Sequence, residues 1–310
     1  MSELRVDEVT VADAEALCDV IRAGFGARPR LDPPSTAVEE TPISIAAAIR
    51  RGGGLLCRVD GVPAGGLLFD GSGAGIALRR VSVVPRFQSR GVASAVVGVA
   101  EEVAAARGHN DICLLARAEL PATVTFWARR GYAEVARAGT AIMMGKALRA
   151  RLETVDAHGT RELGRRLAAL VRPGDVLVLT GELGAGKTTL TQGLGAGLGV
   201  RGEVTSPTFV ISRVHPSQAA GPALVHVDAY RLGDGAELDD LDLDATVDDA
   251  VTVVEWGEGL AETLAEHRLR VHLARGWGEE TGDARTITVT PLGARWFGAG
   301  VRSALLGPAG

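Results

Sequence analysis

Val176-Leu177-Val178-Leu179-Thr180-Gly181-Glu182-Leu183-Gly184-Ala185-Gly186-Lys187-Thr188 runs an apolar strand into a glycine-laced loop and the loop into a helix start. Four apolar residues in a row, without alternation, predict a strand covered on both faces. Gly181, Gly184 and Gly186 accept positive φ and close backbone approach, so successive N–H groups can turn toward an anion at the helix N-terminus. This is a phosphate cradle. Within it Lys187 is placed to reach the outer phosphates of a nucleoside triphosphate, and the Thr188 hydroxyl to sit on Mg2+. A glycine-rich loop alone says little in a chain with 41 glycines; the strand before it and the helix after it give it meaning. Lys187 is also one of only two lysines, with Lys146, in a chain that otherwise uses arginine for positive charge. A compact ammonium serves where a guanidinium would not.

Two further apolar runs end in acids: Leu224-Val225-His226-Val227-Asp228 and Val251-Thr252-Val253-Val254-Glu255. Ligands of such sheets lie beyond the carboxyl ends of the strands, which predicts Asp228 and Glu255 at the phosphate end of the site. Triphosphate hydrolysis needs an acid in the Mg2+ shell and a group that orients the attacking water, and these two are the candidates. Thr205-Ser206-Pro207-Thr208-Phe209 lies between the cradle helix and the next strand, where Thr208 is placed to sense the γ-phosphate or the metal. Trp256 follows Glu255 and is a candidate to pack at the nucleotide. Leu269 to Leu273 and Arg285 to Thr290 predict an antiparallel pair at the sheet edge. The acids Asp239, Asp240, Asp242, Asp244, Asp248 and Asp249 do not form a calcium loop: counted from Asp240, the sixth position is Ala245 and the twelfth Val251, where glycine and glutamate are required. They read as a solvated face.

The 310 residues are 46% hydrophobic, enough for two cores, and with 4% aromatics those cores rest on Val, Leu, Ala and Ile. A formal net charge of -5 provides no basic footprint for a phosphate backbone, so any role in RNA biology is expected to run through a partner protein, touching RNA only indirectly. Cys18, Cys57 and Cys113 are odd in number and lack a Cys-x-x-Cys pair, as expected of reduced thiols in a cytosol. No apolar run approaches the length of a membrane span, and the start shows no signal peptide, so a cytoplasmic protein without membrane association is expected.

Up to Leu148 the chain predicts a separate α/β unit. A strand, Leu4 to Val9, and a helix from Ala12 to Ala23 precede a loop with Pro29, Pro33 and Pro34. Strands at Leu55 to Val59 and Ala64 to Phe69 form a hairpin across Asp60-Gly61. A strand from Ala77 to Val84 leads through Pro85-Arg86-Phe87-Gln88-Ser89-Arg90-Gly91 into a helix from Val92 to Ala106, presenting a second helix N-terminus to an anion. A strand from Asp111 to Ala116, a helix at Ala122 to Arg130 and a strand near Ala141 to Met144 complete it. The join from Ala147 to Arg151 has no Pro, Gly or Ser and predicts a short connection.

From Leu152 onward the chain resembles the TsaE family (also called YjeE) of P-loop ATPases in bacterial tRNA threonylcarbamoylation. Four ordered motifs carry the likeness: Gly-Glu-Leu-Gly-Ala-Gly-Lys-Thr-Thr at Gly181 to Thr189, Thr-Ser-Pro-Thr-Phe at Thr205 to Phe209, His-Val-Asp-Ala-Tyr-Arg-Leu at His226 to Leu232, and Val-Glu-Trp-Gly-Glu at Val254 to Glu258. The family often has Leu where Ala229 stands. The resemblance implies ATP and Mg2+ as ligands, with Gly181, Gly184, Ala185, Gly186, Lys187, Thr188 and Thr189 around the phosphates and Thr188 and Glu255 holding the metal. It further implies that Asp228, Thr208 and Trp256 support hydrolysis, and that TsaB and TsaD are the partners. The stretch from Val84 through Gln88, Gly91, Val92 and Ala93, with Phe126-Trp127-Ala128-Arg129-Arg130-Gly131-Tyr132, resembles the GNAT acetyltransferases and implies acetyl-CoA binding. Trp127 stands where that family often has an acid tyrosine, and an indole cannot protonate a thiolate; Leu120 stands where many members have Asn. Glu39, Glu40 and His109 are the candidate bases. The fold class expected is α/β throughout: residues 1–148 a GNAT-like mixed sheet with flanking helices, residues 152–310 a P-loop NTPase sheet covered by helices. The other readings are an acetyltransferase regulated by an ATPase domain and a small-molecule kinase.

Overall fold

The computed structural model describes residues 3–71, 75–207, 211–218, 221–231, 248–257, 259, 265–276 and 283–307. The chain divides into two compact units, Met1–Lys146 and Ala147–Gly310, each with its own seven-stranded sheet. Among the described residues no helix is long and apolar enough to cross a membrane.

In the first unit the strands are β1 (Leu4–Glu8), β2 (Gly54–Val59), β3 (Val62–Asp70), β4 (Ile76–Val83), β5 (Asp111–Arg117), β6 (Ala133–Ala138) and β7 (Ala141–Ala147), in the sheet order β1-β2-β3-β4-β5-β7-β6. The β2–β3 hairpin closes as expected: Asp60 and Gly61 both take positive φ, 49° and 79°, which a two-residue turn of this twist requires. Helices α1 (Ala14–Gly26) and α2 (Pro42–Gly52) pack their apolar faces on Leu56 and Leu68. Helix α2 falls in the stretch between the proline loop and β2, where the sequence pattern predicts no element. Its start is nonetheless signalled by Thr41, whose hydroxyl accepts from Ser44 N while the Ser44 hydroxyl accepts from Thr41 N, and by Pro42 in the first turn. Strands β4 and β5 pair in parallel only from Ile76 to Leu78. Helix α3 (Val92–Ala106) follows β4 and α4 (Pro121–Ala128) follows β5.

The second unit comprises β8 (Ala150–Thr154), α5 (Ala157–Ala168), β9 (Val176–Thr180), α6 (Lys187–Leu198), β10 (Ser212–His215), β11 (Ala223–Asp228), β12 (Ala250–Glu255), β13 (Arg268–Arg275) and β14 (Arg285–Leu292), ending in the helix Val301–Leu306. Its sheet order is β10-β11-β12-β9-β13-β14-β8. Strands β11, β12, β9 and β13 run parallel, and β9 is the middle strand. The unbroken apolar runs are buried along their length because both sheet faces are covered.

Two local expectations are corrected here. The join from Ala147 to Arg151 is no plain connection: Ala150 to Thr154 form β8, paired antiparallel with β14. The pair β13–β14 is antiparallel but not at the edge, since β13 also pairs in parallel with β9 and β14 is flanked by β8. Helices α5 and α6 touch backbone to backbone. A Cβ on Gly193 would stand 2.0 Å from Arg161 O, and one on Gly164 2.3 Å from Leu190 O, so only glycine admits this approach.

Candidate functional site

Register brings the site together. In the parallel sheet Asp228 pairs with Glu255 and Glu255 with Leu179, so two carboxylates and the loop after β9 emerge at one sheet edge. In that loop Gly181, Gly184 and Gly186 take φ of 136°, 75° and 104°. Gly181 also lies against β13: a Cβ there would be 2.2 Å from Leu273 O. Ala185 is buried, its N–H donating to Glu182 O and its carbonyl accepting from Arg285 Nε at 3.2 Å. Gly186 caps α6, and Lys187, Thr188 and Thr189 form its first turn.

Lys187 is 5% exposed. Its ammonium donates to Gly181 O at 2.8 Å and Glu182 O at 3.0 Å, and stands 3.8 Å from the centroid of the Trp256 ring, well within cation–π range. Burial pushes its pKa down, and Glu255 and Asp228 act in the opposite sense. Trp256 itself has φ of 61°, an unusual conformation for a bulky side chain; its N–H donates to Leu179 O, and its ring lies 5.2 Å from that of Tyr230.

Thr188 Oγ1 donates to Glu255, 3.0 Å from Oε1 and 3.3 Å from Oε2. Two hard oxygen donors 3.0 Å apart match the edge of an octahedron built on metal–oxygen bonds of about 2.1 Å. The residues present therefore fit Mg2+. Asp228 is 4% exposed and engaged at both oxygens: Oδ2 accepts from Ser206 Oγ at 3.1 Å and Oδ1 from Tyr230 N at 3.1 Å. The loop Thr205-Ser206-Pro207 is thereby tied to the site, and Arg213 donates to Thr205 Oγ1 at 3.0 Å. Thr208 lies outside the described residues, as do Asp239, Asp240, Asp242 and Asp244. Lys187, Thr188, Glu255, Asp228 and Trp256 thus stand around one loop.

His226 had no role in the sequence reading. It is 0% exposed, and its Nε2 is 2.9 Å from Glu255 Oε1. The available signal was an imidazole two residues before Asp228 in an otherwise apolar strand, hence on the same sheet face.

In the first unit Gly91, with φ of 80°, caps α3, and Gln88, Ser89 and Arg90 before it are exposed. Val92 is 1% exposed and serves the core, as does the Val84 N–H, which donates to Ala64 O at 2.9 Å; Ala93 is half-buried in the first turn. An open cleft of about 420 Å3 lies between Ser94 in the first turn of α3 and the length of α4, lined also by Ala122, Thr125, Phe126, Arg129 and Arg130. Trp127 is 3% exposed and packs edge-on against Phe126 and Tyr132, so this indole is a core residue. Among the candidate bases, Glu40 is committed: Arg80 Nε donates to Oε1 at 2.8 Å and Ser44 Oγ to Oε2 at 2.5 Å. Burial raises its pKa, but the Ser44 and Arg80 hydrogen bonds outweigh it and hold the carboxyl below its ordinary value.

Each unit matches a known protein family. Residues 154–285 match the family described as "Threonylcarbamoyl adenosine biosynthesis protein TsaE", and residues 20–132 the "Acetyltransferase (GNAT) family". A Streptomyces coelicolor protein named tRNA threonylcarbamoyladenosine biosynthesis protein TsaE is 64% identical over 142 residues, which are 46% of this chain and 96% of that protein. A Bacillus subtilis protein of the same name is 40% identical over 144 residues, 46% of this chain and 86% of its own length. Among solved structures, the PaiA N-acetyltransferase of Thermoplasma acidophilum in complex with coenzyme A is 16% identical, covers 47% of this chain and 99% of its own, and has a TM-score of 0.43. By its second unit the chain belongs to the TsaE family, and its first unit carries a GNAT-family domain.

Proposed function

We propose that this protein binds and hydrolyses ATP as a component of the cytoplasmic machinery that makes threonylcarbamoyladenosine beside the tRNA anticodon. It acts with TsaB and TsaD, meets tRNA only through them, and carries an acyl-CoA-binding domain. The ATPase is assigned to residues 152–310 and the acyl-CoA domain to residues 1–148. The observation that carries the reading is the meeting of Lys187, Thr188, Glu255 and Asp228 at the mouth of a glycine loop. The family name of the relatives supplies the pathway.

In this mechanism the loop N–H groups bind the phosphate oxygens, and Lys187 turns from the Gly181 and Glu182 carbonyls to the outer phosphates. Thr188 and Glu255 would hold Mg2+, which when bound would supply positive charge to offset that of the leaving phosphates. Asp228, fixed by Ser206 and Tyr230, orients the attacking water. Water adds to the γ-phosphorus as its bond to the β-phosphate bridging oxygen breaks, releasing ADP and phosphate. Trp256 shields the Lys187 ammonium from bulk water, and Thr208 completes the γ-phosphate contacts.

For the first unit the exposed N-terminus of α3 and the neighbouring cleft support a pyrophosphate-bearing acyl-CoA. With Trp127 buried and Glu40 paired, the favoured role is binding rather than fast acetyl transfer.

The deciding experiment is nucleoside mass spectrometry of tRNA from cells depleted of this protein and supplied with wild type or Lys187→Ala. Threonylcarbamoyladenosine is expected to return with wild type alone. Normal levels in the variant would remove the reading. Calorimetric titration of the full chain with acetyl-CoA tests the first unit, and absence of heat would remove that assignment.

A further inference from the structure

We propose that His226 is a positioning residue for the metal-holding carboxylate: by donating Nε2–H to Glu255 Oε1 it fixes the rotation of that carboxylate and so sets the Mg2+ affinity of the nucleotide site. The inference rests on the nucleotide reading above and adds to it a residue with no role there.

Glu255 ends a buried strand, but the last torsion of a glutamate is broad and two-fold, so the backbone alone does not decide where its oxygens face. Three contacts do. Oε1 lies 2.9 Å from His226 Nε2 and 3.0 Å from Thr188 Oγ1, while Oε2 meets Thr188 at 3.3 Å. A carboxylate only accepts, so the hydrogen between His226 and Glu255 belongs to Nε2. His226 comes from the central part of β11, where it pairs with Val253 on one side and Arg213 on the other. It is therefore held by rigid elements, as a group that orients a metal ligand should be.

A buried histidine is most often a core residue with both nitrogens satisfied, and His226 does not meet that description. It is 0% exposed, and its Nδ1 has no hydrogen-bond partner among the described residues. Its neighbour His215, in β10 on the same sheet face, is also buried, and its Nε2 has no hydrogen-bond partner among the described residues. Burying an imidazole for a single hydrogen bond is poor for stability, and a leucine would pack here at lower cost. Among the described residues the hydrogen bond His226 does make goes to Glu255, the carboxylate that also touches Thr188.

The test uses the full chain and a fluorescent N-methylanthraniloyl-ADP probe, titrated with Mg2+ against an EDTA baseline. His226→Gln places an amide N–H where Nε2 stands, whereas His226→Asn keeps an amide but stops short of Glu255. His226→Asn is expected to raise the half-saturating Mg2+ about tenfold or more, the usual cost of losing a group that orients a metal ligand, with probe affinity in EDTA unchanged. His226→Gln is expected to stay close to wild type. In a Glu255→Gln background, His226→Asn should have no further effect on Mg2+. If His226→Asn does not fold by circular dichroism, His226→Met against His226→Gln makes the same comparison at equal length. Wild-type Mg2+ dependence in His226→Asn, equal losses in the Gln and Asn variants, or a loss of probe affinity in EDTA would each overturn the assignment. Failure of the wild-type chain to bind the probe would instead refute the nucleotide reading and appear in that arm alone.

Discussion

Gly193→Ala tests how the cradle helix is held. Alanine normally stabilises a helix interior over glycine by about 1 kcal/mol. At Gly193 the added methyl would lie 2.0 Å from Arg161 O and 2.7 Å from both Arg161 C and Arg161 Cα. A carbon–oxygen contact needs about 3.3 Å, so α5 and α6 must part by about 1.3 Å. The obstructing atoms are backbone, which no rotamer change can move aside. An overpacking penalty of about 3 kcal/mol, at the upper end of the usual range, less the propensity gain leaves about 2 kcal/mol of destabilisation. For a unit of this size that is a fall of about 4–8 °C in its melting transition. Because Gly193 is less than two turns from Lys187 and Thr188, displacement of α6 should also weaken nucleotide binding. The assay is calorimetric unfolding of the full chain, with Gly98→Ala as the matched control. Gly98 is an interior residue of α3 with nothing within 4 Å of a built Cβ, so alanine there should stabilise by about 0.5–1 kcal/mol. A Gly193→Ala protein as stable as wild type would refute the account of α5–α6 packing.

Other outcomes follow from the same geometry. Burial first, then the Asp7 charge, pushes the Cys57 pKa up to about 11. At pH 8 its thiolate fraction is then about one in a thousand rather than about one in ten, and since the thiol is also fully buried, alkylation by iodoacetamide, read by mass spectrometry, should be at least about a hundredfold slower folded than denatured. Gly181→Ala places a Cβ 2.2 Å from Leu273 O at a φ of 136°, and should cost at least about tenfold in nucleotide affinity by fluorescence titration. Asp175, 4% exposed, accepts from Arg295 at 2.9 Å and from Arg172 N at 2.9 Å. Asp175→Ala leaves the largely buried Arg295 guanidinium without its carboxylate, keeping only the Leu170 carbonyl, and should lower stability by about 2–3 kcal/mol in urea unfolding.

The parts of the fold legible in the sequence are those where burial dictates composition. Strands β9, β11 and β12 are buried on both faces, so each reads as an unbroken apolar run, and the acids that end two of them mark the sheet edge at once. The Asp60-Gly61 hairpin was legible because one dipeptide suits its backbone. Elements with weak burial left no such trace. In β6 four of six residues are exposed, the last three in succession, so the periodicity is lost, while β8 buries only Ala150 and Thr154 among polar neighbours. The parallel pairing of β13 with β9 is invisible locally, since β13 alternates like any half-exposed strand. Within the site, motif chemistry pointed to Lys187, Thr188, Asp228 and Glu255, but not to the ties from Ser206 to Asp228 or from His226 to Glu255. Those depend on which side chains a register places together, and a list of residue types does not contain it.

Strand β8 sits at the far margin of the second sheet and Trp296, fully buried, closes its core, yet both extend beyond the 154–285 span that matches the TsaE family. A fragment trimmed to that span would lose β8 and β14 together, leaving β13 with a bare row of backbone donors and acceptors and the core without its largest ring. Bare strands recruit one another, so such a fragment is expected to precipitate or form chains of molecules in solution. Cutting ahead of Ala147 and keeping the C-terminal helix should yield a soluble monodisperse unit.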